Sequence, residues 1–188
     1  MCIRDRVEIT EVCLRTKDPA TGADLVEFIV DAAGQKGTGL WTVESALNMG
    51  VPVPTIYAAL NARVLSSLRS ERLAAEPLLS VQPGSGFDLG TPADGMAPLR
   101  DATILAAIAS YAQGMALLQE ASQLHDYALH FPSIAKIWKG GCIIRARLLQ
   151  RIQDAYNAQA DLPNLMLDPW FLDQVNRRLP GLRQVVAG

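Results

Sequence analysis

A glycine-rich loop at residues 34–42, which reads GQKGTGLWT, organises the rest of the chain. Its three glycines lack a Cβ, so the backbone there can approach a ligand closely. Lys36 adds a positive charge, Thr38 adds a hydroxyl group, and a helical pattern begins directly afterwards. Backbone N–H groups at the start of a helix attract anions. The stretch therefore predicts an anion-binding loop, and phosphate is the anion that fits it best.

Two named phosphate-binding motifs do not match this spacing. A P-loop has Lys directly after its last glycine, whereas Gly39 is followed by Leu40. A dinucleotide-binding fingerprint that starts at Gly37 needs a further glycine at position 42, which is Thr42. Glycine-rich loops before helices also occur as plain connectors, and the loop alone leaves that alternative open.

Arg63 is the second candidate in the predicted anion site. It lies in a helical run at residues 58–68, AALNARVLSSL, which offers no carboxylate one turn away in either direction. Arg72, by contrast, has Glu76 four residues later, which is typical of a solvent-exposed helix face. An arginine on a mostly apolar helix needs a partner, because an unpaired buried charge is strongly unfavourable. A distant Asp or water could serve, but we predict that Arg63 meets the same anion as Lys36.

Five stretches of the chain resemble, in the expected order, the C-terminal domain of the decarboxylating 6-phosphogluconate dehydrogenase family. That family combines an N-terminal Rossmann domain, which holds NADP, with a mostly helical C-terminal domain that forms a homodimer. It oxidises 6-phosphogluconate at the 3-hydroxyl, releases carbon dioxide and yields ribulose 5-phosphate in the pentose phosphate pathway, without a metal. The matching stretches are GQKGTGLWT at 34–42, GVPV at 50–53, ARVLSSL at 62–68, SYAQG at 110–114 and IWKGGCIIR at 137–145.

The resemblance implies which residues contact substrate. The family's phosphate-binding Lys, Thr and Arg correspond to Lys36, Thr38 and Arg63. The family usually has Lys where this chain has Leu40. Its catalytic Lys base and Glu acid are expected upstream of Val7, and a tail that carries an Arg and a His into the partner subunit is expected after residue 188. We therefore expect no catalytic residue in this chain, which supplies one wall of an active site and by itself is predicted to be inactive.

The pattern of apolar residues predicts an all-α, bundle-like domain of seven or eight helices, with no credible sheet and no Rossmann domain. The run from Leu25 to Ala33 fits either a strand or a helix, and the resemblance favours a helix. In the helix that begins at Asp101 or Thr103, the predicted core stripe is Leu105, Ile108, Ala112, Met115 and Leu118, with Gly114 permitting close helix packing. The other predicted helices are 7–15, 41–49, 55–76, 132–140, 142–156 and 169–179, the last ended by Pro180 and Gly181, and the helix from Asp101 or Thr103 ends at Leu124.

The domain boundaries are predicted from residues that break these patterns. Residues 1–6 read MCIRDR and match a common transposon end sequence in one reading frame, so we interpret them as an adaptor scar. Residues 7–188 then form one helical domain fragment. The breaker-rich segment at about 80–98 is predicted to be an internal surface loop of that domain.

Composition restricts the partners of the chain. A formal charge of −2 lacks the basic excess that nucleic acids and anionic membranes call for, so we expect neither as a partner. No unbroken apolar run approaches the roughly 20 residues that span a bilayer. Three scattered cysteines, Cys2, Cys13 and Cys142, are too few for a disulfide framework or a Cys-based metal site. A reduced, cytoplasmic setting fits this composition.

Two other functions remain possible at this point. The chain could be a non-catalytic helical interaction or scaffold module that kept the core and lost the chemistry. It could also come from a related β-hydroxyacid dehydrogenase, although an unphosphorylated hydroxyacid would give Lys36, Thr38 and Arg63 nothing to bind. Stabilisation of the fold by phosphate or 6-phosphogluconate would favour the dehydrogenase.

Overall fold

The computed structural model describes residues 3–79, 92–140 and 148–187, without the side chains of residues 3–8 and 92–95. The regular secondary structure of these residues is helical, and their one strand-like feature is an isolated antiparallel bridge between Lys17 and Asp24. The predicted all-α class is therefore confirmed. The α-helices are α1 (Ile3–Arg15), α2 (Thr38–Asn48), α3 (Pro54–Ser67), α4 (Arg69–Ala75), α5 (Pro92–Leu124), α6 (Phe131–Lys139), α7 (Leu148–Ala158) and α8 (Pro169–Ala187), and short 3₁₀ helices cover Leu25–Phe28, Glu76–Leu78 and Leu165–Leu167.

The long helix α5 forms the centre of the main core. It packs chiefly against α8, while α6 packs against α7. The predicted stripe on α5 is confirmed, because four of its five residues are buried and Leu118 is partly buried against them. The main core comprises Leu105, Ile108, Ala112, Met115, Ala135, Leu149, Ile152, Ala155, Tyr156, Leu162, Leu165 and Phe171.

A second, smaller core fixes α2 and α3 onto α5 and so positions the glycine-rich loop. It comprises Val43 and Ala46 of α2, Val53, Leu60 of α3 and Leu117 of α5. Helix α2 ends as expected at a glycine with a positive φ, since Gly50 has φ +70°. Helix α3 then begins with Pro54, whose fixed φ suits the first helical turn.

Helix α8 runs beyond its predicted end. Asp168 caps its start by accepting hydrogen bonds from the backbone N–H groups of Trp170 and Phe171 at 3.0 and 3.1 Å. Pro180 and Gly181 were expected to end the helix at Leu179, but they lie inside it. The helix continues because the following Leu182 packs onto the main core. Here tertiary packing outweighs the helix-breaking tendency of proline.

Two other predicted helix boundaries are wrong, one before and one after the undescribed residues 80–91. The segment from Thr55 to Glu76 is broken at Leu68 into α3 and α4, since Leu68 leaves the helical conformation with ψ 45°. Helix α5 begins at Pro92, well before Asp101, and includes Pro98. The predicted loop at 80–98 is thus helical from residue 92, and its residues 80–91 lie outside the described part of the chain.

The ambiguous run from Leu25 to Ala33 is mostly not helical. A single 3₁₀ turn covers Leu25–Phe28, and Ile29 is already extended. Phe28 and Val30 are 56% and 71% exposed, so a helix here would bury little of its apolar face within the chain.

Some predictions fall on residues that the structure does not describe. Residues 1–2 and 141–147 are among these, so Cys2, Cys142 and the start of the helix predicted at 142–156 are not placed. From Leu148 onward that helix is confirmed as α7. The division into an adaptor scar at 1–6 and a domain at 7–188 stays a prediction.

By length and composition, Met96–Leu124 in α5 could cross a membrane. Ile108 and Met115 in that stretch are instead fully buried against other helices of the chain. Buried core helices satisfy the same criterion. The absence of a membrane partner stays a prediction.

Candidate functional site

The segment at 29–37 links the 3₁₀ turn Leu25–Phe28 to α2 and has no regular secondary structure. Side chains of α3 and α4 nevertheless bond to it at three positions. The hydroxyl of Ser66 accepts a 2.9 Å hydrogen bond from the backbone N–H of Ala33. Arg63 and Arg72 supply the other two attachments, so the backbone of the segment is fixed by polar contacts from about 30 to 40 residues away.

Arg63 projects from α3 onto this segment. Its Nε donates a 2.9 Å hydrogen bond to the carbonyl oxygen of Gly34, and its Nη2 donates a second bond to the same oxygen. The side chain is exposed, and its partner among the described residues is a backbone carbonyl at the surface, not a distant Asp. Two of five guanidinium N–H donors are used in this way, which leaves donors for an anion.

Arg72 of α4 holds the same segment from the other side. Its Nη1 lies 2.7 Å from the carboxylate Oδ2 of Asp31, and its Nη2 donates to the carbonyl oxygens of Asp31 and Ser66 at 2.7 and 3.1 Å. The spacing to Glu76 indicated a solvent-exposed face, whereas Arg72 binds Asp31 and its side chain is partly buried. The backbone at Glu76 is still α-helical and its N–H donates to the Arg72 carbonyl oxygen, so the helical spacing is kept and the Arg72 side chain nevertheless reaches Asp31. Hydrogen bonding and the positive charge of Arg72 hold the pKa of the Asp31 carboxyl below its usual value.

The start of α2 lies at the end of this segment. Gly37 precedes the helix with φ +91°, a conformation that glycine adopts easily and other residues rarely do. Among the described residues no side chain caps the helix start, so the first backbone N–H groups of α2 have no capping partner there. Thr38 is the first residue of α2, and its side chain is exposed. These features fit an anion-binding helix terminus.

The structure brings Arg63 to the loop that carries Lys36 and Thr38. Arg63 bonds to Gly34, two residues before Lys36 and four before Thr38. The Lys36 side chain is exposed and forms no hydrogen bond or ion pair with the described residues. Convergence of all three side chains on one phosphate stays a prediction, and this geometry supports it.

Sequence reasoning missed three residues that shape the site. Asp31, Ser66 and Arg72 fix the backbone of the loop, yet they are separated by up to 41 residues and follow no local spacing rule. Asp31 was a visible clue, because a carboxylate three residues before the first loop glycine is a natural partner for an arginine. Nothing in the sequence distinguished Arg72 from the other arginines as that partner.

An open cavity of about 600 Å³ lies elsewhere on the described surface. It is lined by the end of α2, by α5 and by residues near Asp161, and none of Lys36, Thr38 and Arg63 lines it. The candidate site is therefore an open wall formed by a loop and two helices, and the cavity is not part of it.

Comparison with known proteins identifies the family. The model of the 6-phosphogluconate dehydrogenase C-terminal domain matches residues 6–188. The chain belongs to this family. It is 49% identical to the decarboxylating 6-phosphogluconate dehydrogenase of Synechocystis sp. (strain ATCC 27184 / PCC 6803 / Kazusa), over 96% of this chain and 37% of that protein. It is 50% identical to the enzyme of the same name from Synechococcus elongatus (strain ATCC 33912 / PCC 7942 / FACHB-805), over 96% of this chain and 38% of that protein.

A solved structure supports the same assignment. The 6-phosphogluconate dehydrogenase of Plasmodium falciparum matches with a TM-score of 0.85 and 39% identity, over 96% of this chain and 39% of that one. That protein was solved in its apo form, with its cofactor NADP⁺ and with its substrate 6-phosphogluconate. The chain thus spans less than two fifths of the length of the relatives it matches.

Proposed function

We propose that this chain forms the substrate-phosphate wall of an NADP-dependent, decarboxylating 6-phosphogluconate dehydrogenase. The observation that carries the proposal is the bond from Arg63 to Gly34, which brings an arginine onto the loop of Lys36 and Thr38. The chain belongs to a family of this activity, and its Plasmodium relative binds both NADP⁺ and 6-phosphogluconate.

The three side chains offer complementary contacts to a phosphate group. Lys36 supplies a mobile point charge, and Arg63 supplies a planar fork whose free N–H groups can take phosphate oxygens. Thr38 adds a hydroxyl hydrogen bond, and the uncapped start of α2 adds backbone N–H groups. In the whole enzyme these contacts hold one end of the sugar acid, while NADP oxidises the 3-hydroxyl, carbon dioxide is lost and ribulose 5-phosphate forms.

The wider context of the proposal follows from the family. We propose a cytoplasmic homodimer acting in the pentose phosphate pathway, with NADP bound mainly by a Rossmann domain and with catalytic residues outside this chain. Exposed apolar side chains such as Phe28, Val30 and Trp41, each more than half exposed, support burial of this surface against other parts of the assembly. The same surface would also suit the alternative, a non-catalytic interaction module.

Ligand-dependent stability separates these two functions. The denaturant midpoint of the 188-residue chain is measured with and without 6-phosphogluconate, and with sodium chloride at equal ionic strength. Saturation at ten times the dissociation constant should stabilise the fold by about 1.4 kcal/mol. Arg63→Ala should abolish this stabilisation, because the mutant lacks the guanidinium group that binds the phosphate.

Arg177→Ala is the matched control. Arg177 is also exposed and helical, but it pairs with Asp173 on its own helix, α8. Truncation of Arg177 should leave the stabilisation by 6-phosphogluconate unchanged. Equal stabilisation of the wild type and of Arg63→Ala by 6-phosphogluconate would contradict the proposed site and favour the interaction module. Turnover of 6-phosphogluconate with NADP by the chain alone would contradict its predicted inactivity.

A further inference from the structure

Few interactions fix the backbone conformation of the loop that carries Lys36. Its residues 29–37 form neither helix nor sheet, and the side chains at Asp31, Gln35 and Lys36 are exposed. Apolar burial therefore contributes little to its conformation. The polar attachments at Asp31, Ala33 and Gly34 are what hold it against α3 and α4.

Arg72 makes the most extensive of these attachments. One guanidinium reaches a carboxylate oxygen and a carbonyl oxygen of Asp31, and it also reaches the carbonyl of Ser66 near the end of α3. The Ser66 hydroxyl simultaneously accepts the N–H of Ala33. Arg72 and Ser66 thus bracket residues 31–33, immediately before the Gly34 carbonyl that receives Arg63.

The environment of Arg72 distinguishes it from an ordinary surface ion pair. Its side chain is 36% exposed, against 71% for Arg177 in the pair with Asp173. Its Nε is buried without a hydrogen-bond partner among the described residues, so the guanidinium is partly desolvated to reach the two carbonyls. Asp31 is 70% exposed, so screening by water leaves the charge pair itself weak. Backbone orientation is then the main effect of the contact.

We propose that Arg72 is a positioning residue for the phosphate site. Arg72 fixes residues 31–34 so that Arg63 and Lys36 can bind the same anion. Its planar fork can bind three acceptors at once, which a lysine ammonium on a flexible stem cannot do in the same geometry. This inference rests on the proposed phosphate site, but it also makes a claim about the loop without ligand.

The test uses the 188-residue chain labelled with ¹⁵N, in the wild type and in Arg72→Ala, Arg72→Lys and Asp31→Asn. Two quantities are measured by NMR: hydrogen exchange at Arg63 Nε–H and the Ala33 amide without ligand, and the dissociation constant for 6-phosphogluconate from shifts of the Gly37 and Thr38 amides. Arg72→Ala should speed exchange at both N–H groups and weaken binding by about 2- to 30-fold. The denaturant midpoint should change little, because the Asp31 carboxylate is exposed and water screens the charge pair.

The other two variants separate orientation from charge. Asp31→Asn keeps both carbonyl contacts, so its binding should stay within about 3-fold of the wild type. Arg72→Lys keeps the charge but loses the fork, so its effect should approach that of Arg72→Ala. Arg177→Ala is the control and should alter neither measurement.

The outcomes are distinguishable. If the wild type does not bind 6-phosphogluconate, the proposed function fails, and the exchange data alone decide whether Arg72 positions the loop. If the wild type binds and Arg63→Ala loses binding, but Arg72→Ala keeps both its affinity and its protected N–H groups, the positioning role is overturned. A large effect of Asp31→Asn with none from Arg72→Lys would overturn it as well, because charge alone would then be responsible.

Discussion

The main core around α5 and α8 and the loop at 29–37 are held in place by different interactions. In the core, Ile108, Met115 and Phe171 are fully buried, and apolar contact dominates. In the loop, backbone groups of Asp31, Ala33 and Gly34 are bound by side chains from α3 and α4. The core has many redundant contacts, whereas the loop depends on a small number of specific ones.

This difference separates stability from ligand binding in the chain. Buried apolar area supplies most of the free energy of folding, so core substitutions should lower stability substantially. Exposed hydrogen bonds contribute little to that free energy, but they determine where the loop backbone lies. Substitutions in the loop should therefore change phosphate binding, while substitutions in the core should change the free energy of unfolding.

The largest effect is expected for Phe171→Ala. Phe171 is fully buried in the main core and meets Trp170 edge to face, with ring centroids 5.0 Å apart. Truncation leaves a cavity, so the free energy of unfolding should fall by about 3–5 kcal/mol in urea denaturation. Hydrogen exchange at Arg63 Nε–H should stay unchanged while the mutant is folded, because the loop does not rest on this contact.

The neighbouring Leu172→Ala is the control for that experiment. Leu172 lies one position later on α8 and is 45% exposed, so its truncation should lower the free energy of unfolding by about 1 kcal/mol or less. Equal losses from the two variants would show that the apolar core is not organised around the buried face of α8. A faster exchange of Arg63 Nε–H in Phe171→Ala would show that loop and core are coupled, against the separation drawn above.

The fold class could be predicted from the sequence because the apolar stripe of α5 repeats with the helical period and is buried as the pattern indicates. Helix ends were less predictable. Pro98 and Pro180 read as breaks, yet both lie inside helices whose packing outweighs the local preference. A local pattern carries no information on such long-range contacts.

In the candidate site, too, the local features could be predicted from the sequence, whereas the long-range contacts could not. The glycines, Lys36 and Thr38 before a helix start, together with an Arg63 that lacks a local carboxylate, were visible in the sequence, and the resemblance indicated the same three residues. The contacts of Arg63 with Gly34 and of Arg72 with Asp31 join residues 29 and 41 positions apart, so only the folded chain reveals them. The carboxylate four residues after Arg72 indicated an ordinary solvent-exposed face, but Arg72 reaches Asp31 even though Glu76 keeps the helical spacing.

Two glycines test how tightly the core is packed. A Cβ at Gly181 would lie 2.9 Å from Asp101 Cβ and 3.2 Å from Pro98 Cα, whereas a Cβ at Gly114 would meet no atom of the described residues within 4 Å. Close packing thus occurs at Gly181 and not at Gly114, where it was predicted. Gly181→Ala should lower the free energy of unfolding by about 1–3 kcal/mol through overpacking.

Gly114→Ala is the matched substitution and should have the opposite sign. Gly114 lies inside α5 in open space, so the added methyl group should raise the free energy of unfolding by about 0.5–1 kcal/mol. Chemical denaturation of both variants measures the two signs. A stabilising Gly181→Ala would show that α5 and α8 can separate at that contact, which would weaken the contrast between a rigid core and an adaptable loop.

A similarly small effect at neutral pH is expected for Tyr156→Phe, which removes a buried hydroxyl that has no hydrogen-bond partner among the described residues. Tyr156 is 1% exposed and stacks on Phe131, and its hydroxyl has no hydrogen-bond partner among the described residues. Removing the hydroxyl should raise the free energy of unfolding by roughly 1 kcal/mol, because an unpaired buried hydroxyl is unfavourable.

Burial raises the pKa of Tyr156 to about 12 from 10.0, so above pH 10 the unfolded state loses this proton before the folded state does. Wild-type stability should therefore decline between pH 10 and pH 12 more steeply than that of Tyr156→Phe in urea denaturation. Parallel pH profiles would mean that the hydroxyl reaches water or a partner in solution, and the core would then depend on polar contacts as the loop does.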